Sequence, residues 1–281
     1  MAHFWRADPV KFSRAPKEIE QRRERGEFDD VFYEECLSSF NFSGRTDGWQ
    51  AETVILLSAP RPAHILEFSV SDRPLGALIP PTHLHYRKFA EQMRDRLAVE
   101  LFQPHYRLEL LSAPLKNLAV RLGMARYGRN NLTYTDQAGS YHQLVGFLTD
   151  ARLELQDTPA PPAPDRVLPE CATCSACMKA CPTAAIRSDR FLLRAEGCLT
   201  YFSESLKPWP DWLPGSAHHC LIGCLKCQRV CPRNSRKLKT VKIRVSFSDP
   251  ETDHILSAAF DESDTLWQQI RGKLVHLGLV G

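Results

Sequence analysis

Two runs of four cysteines, each closing on Cys-Pro, constrain this chain more than any other feature. The first is Cys171, Cys174, Cys177 and Cys181 before Pro182; the second is Cys220, Cys224, Cys227 and Cys231 before Pro232. Two-residue gaps let a tight loop place three sulfurs around three irons of a cube of four irons and four sulfides, so the fourth thiolate comes from elsewhere. Across its three-residue gap, Cys181 lies about one helical turn beyond Cys177, a rise of roughly 6 Å, and its sulfur points at a different centre. Pro182 then stops that turn. Two 4Fe-4S clusters follow, each borrowing a ligand from the other's run, as in the two-cluster bacterial pattern.

The second run is not a clean copy of the first. Cys220 and Cys224 are three residues apart, and Cys198 lies between the runs, so one thiol is surplus. If Cys171, Cys174 and Cys177 take Cys231, the other cluster draws on Cys181, Cys224 and Cys227 plus either Cys198 or Cys220, with Cys198 favoured. Zinc is the bland competitor, since paired Cys-x-x-Cys steps also suit a tetrahedral site. A zinc ribbon needs neither the third close cysteine nor the prolines. Disulfides fit poorly in a chain whose first residues carry no apolar stretch of signal-peptide length.

No uncharged run approaches the roughly 18 residues needed to span a bilayer, so a cytoplasmic protein with no membrane contact is expected. The net charge is only +3, but residues 171–239 hold 11 Lys and Arg against 4 Asp and Glu. Thiolate-ligated clusters are anionic, so Lys179, Lys226 and Arg229 would offset their charge and help set potential. The alternative is an RNA-facing surface around Arg233, Arg236, Lys237, Lys239, Lys242 and Arg244, where cations neutralise phosphates.

Residues 159–169 contain five prolines and read as an extended connector. That divides the chain into an α/β (α+β) domain over 1–158, a double-cluster domain over 159–240 and a short strand and helical tail over 241–281. Within the first domain, Glu52 to Ser58 and Leu144 to Thr149 read as strands. Tyr106 to Leu111 alternates towards a strand, while Tyr86 to Leu101 and Pro114 to Leu122 have helical character. Residues 123–142 mix glycines, amides, hydroxyls and aromatics, which suits backbone passing close to a ligand. In the tail, Val241 to Phe247 reads as an edge strand before helices at Asp249 to Ala259 and Asp261 to Leu277, the latter capped by Asp261 or Ser263.

The order Ser112-Ala113-Pro114, Tyr127-Gly128-Arg129-Asn130-Asn131, Gly139-Ser140, Thr149-Asp150 and then the cysteine runs resembles the epoxyqueuosine reductases. These are double-cluster proteins related to the cobalamin-dependent reductive dehalogenases. The resemblance spans roughly residues 50–235 and is most specific in the cysteines. It implies an amino-terminal cobalamin-binding, flavoreductase-like sandwich followed by a bacterial-ferredoxin-like domain. It also implies an oxidoreductase in which a reduced ferredoxin- or flavodoxin-type protein feeds electrons through two 4Fe-4S clusters to cobalamin. The substrate class it implies is RNA or a modified nucleoside. Carried over by position, Cys171, Cys174, Cys177 and Cys231 hold one cluster and Cys181, Cys198, Cys224 and Cys227 the other. Gly128, Arg129 and Asn130 match the step that approaches the corrinoid, with Arg where the family has Lys, and Gly139 and Ser140 join them as cofactor-binding candidates.

Two departures stand out. The family's aspartate proton donor precedes Ser-Ala-Pro, and here that position is Leu111, which leaves Tyr134, Tyr141 and His142 as candidate acids. The helical-repeat domain expected to grip transfer RNA is missing from this sequence. Two rival readings follow: an electron-transfer or corrinoid-reducing partner with no substrate chemistry, which Leu111 favours, and a nucleic-acid-binding module with structural clusters.

Overall fold

A computed structural model of the chain describes residues 3–7, 15–40, 45–46, 48–100, 106–153, 167–205, 209–258 and 260–280. In chain order the elements are β1 (His3–Ala7), α1 (Ala15–Glu24), α2 (Asp30–Cys36), β2 (Arg45–Thr46), β3 (Trp49–Gln50), β4 (Thr53–Pro60), β5 (Ala63–Val70) and β6 (Arg73–Ile79). Then come α3 (Tyr86–Glu100), β7 (Leu108–Leu110), α4 (Leu115–Arg121), β8 (Arg126–Tyr127), β9 (Thr133–Tyr134) and β10 (His142–Thr149). The cysteine region supplies the short helices α5 (Ala176–Ala180), α6 (Leu199–Glu204) and α7 (Lys226–Arg229), and β11 (Thr240–Phe247), α8 (Asp249–Ser257) and α9 (Thr265–Leu277) follow.

A four-stranded antiparallel sheet in the order β1-β4-β10-β7 lies at the centre of the α/β part. Both faces of β4 are apolar because a helix covers each of them. Ile55 and Leu57 pack with Val145 and Phe147 beneath Phe89, Met93 and Leu97 of α3. Val54 and Leu56 face the other way, onto Leu118 and Ala119 of α4. Burial on both sides explains why the strand reads as a continuous apolar run without alternation.

The hairpin β5-β6 turns on Ser71 and Asp72, both with positive φ, the geometry a two-residue hairpin loop needs to follow the strand twist. Strand β11 joins it in parallel at its edge, in the order β11-β5-β6. Strand β11 and helices α8 and α9 thus form a layer with the hairpin and share a core of Leu66, Phe68, Ile79, Leu84, Phe247, Ile270 and Leu277. Helix α9 begins at Thr265, later than the sequence suggests. Asp264 is its cap, accepting from Leu266 N at 2.8 Å, while Asp261 binds Ser263 in the preceding turn. Most of the proline connector, 159–166, falls outside the described residues. Val167 then bridges to Tyr127, tying the start of the cysteine region to the α/β part.

Candidate metal centres and the adjoining cavity

Each Cys-Pro step ends a short helix as its spacing requires. Helix α5 carries Cys177 and stops at Cys181, which is extended, and Cys231 is likewise extended before Pro232. Helices α5 and α7 pack together, so the two runs meet. All ten cysteines are free thiols. Among the described residues no three His, Cys, Asp or Glu side chains close on a single-ion site.

The thiols that act on one another electrostatically sort into two groups. Cys177 is pushed up to about 11, first by burial and then by charge on Cys171, Cys231 and Cys174. Cys171 is raised by burial and by Cys231 and Cys174. In the second group Cys224 is pushed up to about 11 by burial and then by Cys198, Cys220 and Cys181. Cys227 is raised by burial, then by Cys224 and Cys198, and least by Cys177 of the first group. Burial disfavours a thiolate, so such thiols hold charge only when a metal takes it up. Cys220 is 4% exposed and packs with Ala63, Tyr141 and Leu225.

The polar residues predicted around the site are mostly turned towards these thiols. Asn130 is buried, donates to the Tyr134 hydroxyl at 2.9 Å, and its side chain also hydrogen-bonds Cys227. Tyr134 hydrogen-bonds Cys231, and burial first, then that bond, raises its pKa. Arg129 donates to the Cys171 carbonyl. The two glycines expected to approach a ligand are closely packed by protein: a Cβ on Gly128 would meet the Tyr134 ring, and one on Gly139, whose φ is +60°, would meet Asn234. Tyr141 is buried against Cys220 and pushed up to about 12, mainly by burial. Leu111 is a core residue, 2% exposed, packed with Ala113 and Leu118.

A cavity of about 470 Å³ lies between the α/β part and α7. Ser140, Thr133, His142, Gln143, Lys116 and Gln228 line it, with Leu115, Leu132 and Leu144 among its apolar wall. Gln228 stands on α7 between Cys227 and Cys231 and accepts from the Ser140 hydroxyl at 2.9 Å. A second cavity of about 490 Å³ shares Thr82, Leu132 and Gln228 with the first and reaches His83 and Cys224. Of the eight predicted catalytic and cofactor-binding residues, Ser140 and His142 line the first one. His142 is held on both ring nitrogens, by Ser58 at 2.8 Å and by Thr133 at 3.0 Å, and burial lowers its pKa, keeping it neutral. Lys116, Thr133, Gln143 and Gln228 were not legible as site residues. The one signal was Lys116-Asn117 breaking into an otherwise apolar short helix.

Residues 170–234 match the 4Fe-4S double cluster binding domain. Curated relatives include proteins from Cyclobacterium marinum, 30% identical over 177 residues, 62% of this chain and 51% of the relative, and from Pseudomonas aeruginosa, 31% identical over 182 residues, 64% and 46%. Both are epoxyqueuosine reductases. The resemblance read from the motifs is therefore found over 62% to 64% of the chain, and the matched part is about half the length of these relatives. Two solved epoxyqueuosine reductases share the mixed α/β fold. The Bacillus subtilis structure has a TM-score of 0.59 at 20% identity, covering 84% of this chain and 62% of that one. The Streptococcus thermophilus structure has a TM-score of 0.59 at 18% identity, covering 97% and 74%.

Proposed function

We propose that this chain is an iron–sulfur reductase of the epoxyqueuosine reductase type, whose electrons leave the clusters at the cavity beside α7. The observation that carries the reading is the sorting of thiols into two crossed groups, with Gln228, between Cys227 and Cys231, lining that cavity. Cys171, Cys174, Cys177 and Cys231 would hold one cluster, and Cys181, Cys198, Cys224 and Cys227 the other. Tyr134 and Asn130 act as hydrogen-bonding partners of ligand sulfurs, which raises reduction potential by stabilising the more negative state.

The two adjoining cavities would be the place for a corrinoid: Leu115, Leu132 and Leu144 would give it an apolar wall, and Ser140, Thr133, Gln143 and Gln228 would offer hydrogen-bonding partners for its amides. Bound there, cobalamin would supply a two-electron reductant for carbon. Around it, Ser140 is fixed by Asn234 and Gln228, and His142 stays neutral and immobile, so neither has a proton to spare at neutral pH. A reduced ferredoxin- or flavodoxin-type protein is the electron source in this reading. The substrate is an oxygenated modified nucleoside in RNA, and the setting is cytoplasmic. No helix among the described residues is long and apolar enough to cross a membrane. Domains at 1–158, 159–240 and 241–281 serve as substrate, electron and packing units.

The burial of Leu111 in the core supports a second reading, an electron-transfer or corrinoid-reducing partner without its own substrate. Anaerobic reconstitution with iron and sulfide should give about eight irons per chain. Added cobalamin should change its cobalt spectrum on binding, and an RNA stem loop carrying epoxyqueuosine should then be reduced by a low-potential donor. Cobalamin bound without turnover would select the electron-transfer reading; two zincs and no iron would end both.

A further inference from the structure

The cavity wall is neutral with one exception. Among the described residues lining it, Lys116 is the single formal charge, since His142 is held neutral between Ser58 and Thr133. It stands in the first turn of α4 and also borders a third cavity beside Tyr127 and Asn131. No carboxylate pairs with it among the described residues, and its one hydrogen bond there is a long 3.4 Å contact to the Asn131 carbonyl. The side chain is exposed, but it is exposed between the walls of two cavities. With no ion-pair partner among the described residues, its ammonium is available to whatever occupies the cavity.

We propose that Lys116 is the proton donor for the reduction carried out in this cavity, in place of the carboxylic acid that Leu111 has replaced. This rests on the reductase reading above. Reductive opening of an epoxide to an alkene consumes two electrons and two protons: both C–O bonds break, a C=C bond forms and the oxygen leaves as water. The reduced donor protein loses the two electrons through the clusters. Lys116 Nζ gives one proton to the departing oxygen, the second comes from water in the open cavity, and the amine is reprotonated from solvent. The other protic groups are poorer donors. Burial raises Tyr86, and the Ser140 hydroxyl already donates to Gln228.

The test compares Lys116→Met and Lys116→Arg in the reconstituted protein with a low-potential donor, cobalamin and the epoxyqueuosine stem loop. Both should lose about 10²- to 10⁴-fold in kcat, the usual contribution of a general acid, with KM and iron content unchanged. Arginine keeps the charge but holds its proton too tightly to donate. The wild-type kcat should also fall on the alkaline side through the lysine pKa, and Lys116→Met should lose that limb. A wild-type rate in either variant overturns the proposal. If the wild-type protein turns over no substrate, the reductase reading fails, and the lysine is judged by acetic anhydride labelling across pH with mass spectrometry. A Lys116 pKa clearly below about 10.4 supports an acid role, and an ordinary value rejects it.

Discussion

Tyr134 looks like an acid in the sequence because a phenol in a glycine-rich, polar stretch has few other obvious uses. In the fold its hydroxyl is occupied by Asn130 and Cys231, so its proton serves sulfur. Spacing alone left Cys198 and Cys220 as rivals for one ligand position. Cys198 feels the charge of Cys181 and receives hydrogen bonds from Thr200, while Cys220 packs with Tyr141. Accordingly, Cys198→Ser should lower iron towards about four per chain, and Cys220→Ser should leave about eight, as read by iron analysis after anaerobic reconstitution. The reverse pattern would reassign the second cluster. No spacing rule separates those two thiols, because the choice depends on which one the chain brings to Cys181 from far along the sequence.

Helix α8 shows how much an element's own sequence can specify. Ser-x-x-Glu at Ser248 and Glu251 is a capping box: Glu251 accepts from Ser248 N at 2.9 Å. What the sequence does not reveal is that Lys273, from α9, reaches the same carboxylate at 2.6 Å and leaves Glu251 only 6% exposed. Burial would raise the Glu251 pKa, but Lys273 and Ser248 outweigh it and the net shift is downward. A depressed carboxylate contributes stability above its unfolded pKa of 4.5 and loses it as pH falls through the lower folded value. Glu251→Gln should therefore cost about 2 kcal/mol near neutral pH, and denaturant unfolding should show the variant and wild type converging below that unfolded pKa. A gap independent of pH would mean that the carboxylate charge is immaterial. The start of α9 was misplaced for a related reason: Asp261, Ser263 and Asp264 are all good caps, and only Asp264 has its oxygen on Leu266 N.

Across the whole molecule, the cysteine region is tied to the α/β part by side chains at a distance in sequence. Asn234 accepts from Ser140 N and donates to Ser140 Oγ, and Gly139 has no room for a side chain because Asn234 fills it. The basic stretch after Cys231 divides in the fold. Arg233 pairs with Asp136, Lys237 donates to the Asp136 carbonyl and Lys242 pairs with Glu67, whereas Arg236, Lys239 and Arg244 are exposed with no ion pair among the described residues. If this surface meets RNA, binding to transfer RNA should weaken steeply with salt, and replacing Arg236, Lys239 or Arg244 by Ala should each reduce the slope by about one. Absent or salt-independent binding would leave the charge as a counterweight to the anionic clusters.

The cysteine spacing by itself pointed to a 4Fe-4S double cluster domain, the one that residues 170–234 match, because a two-residue gap, a helical turn and a proline are local geometry. The β4 and β10 strands were legible as short apolar runs and the α3 helix by its helical spacing, both local patterns. Only the tertiary structure decided that β11 completes the sheet with β5 and that Gln228 and Lys116 face one cavity. It also decided that Tyr134, Gly128 and Gly139 pack closely against Asn130, Asn234 and one another's neighbours. Those outcomes depend on residues far apart in sequence competing for the same space, and no periodicity records that competition.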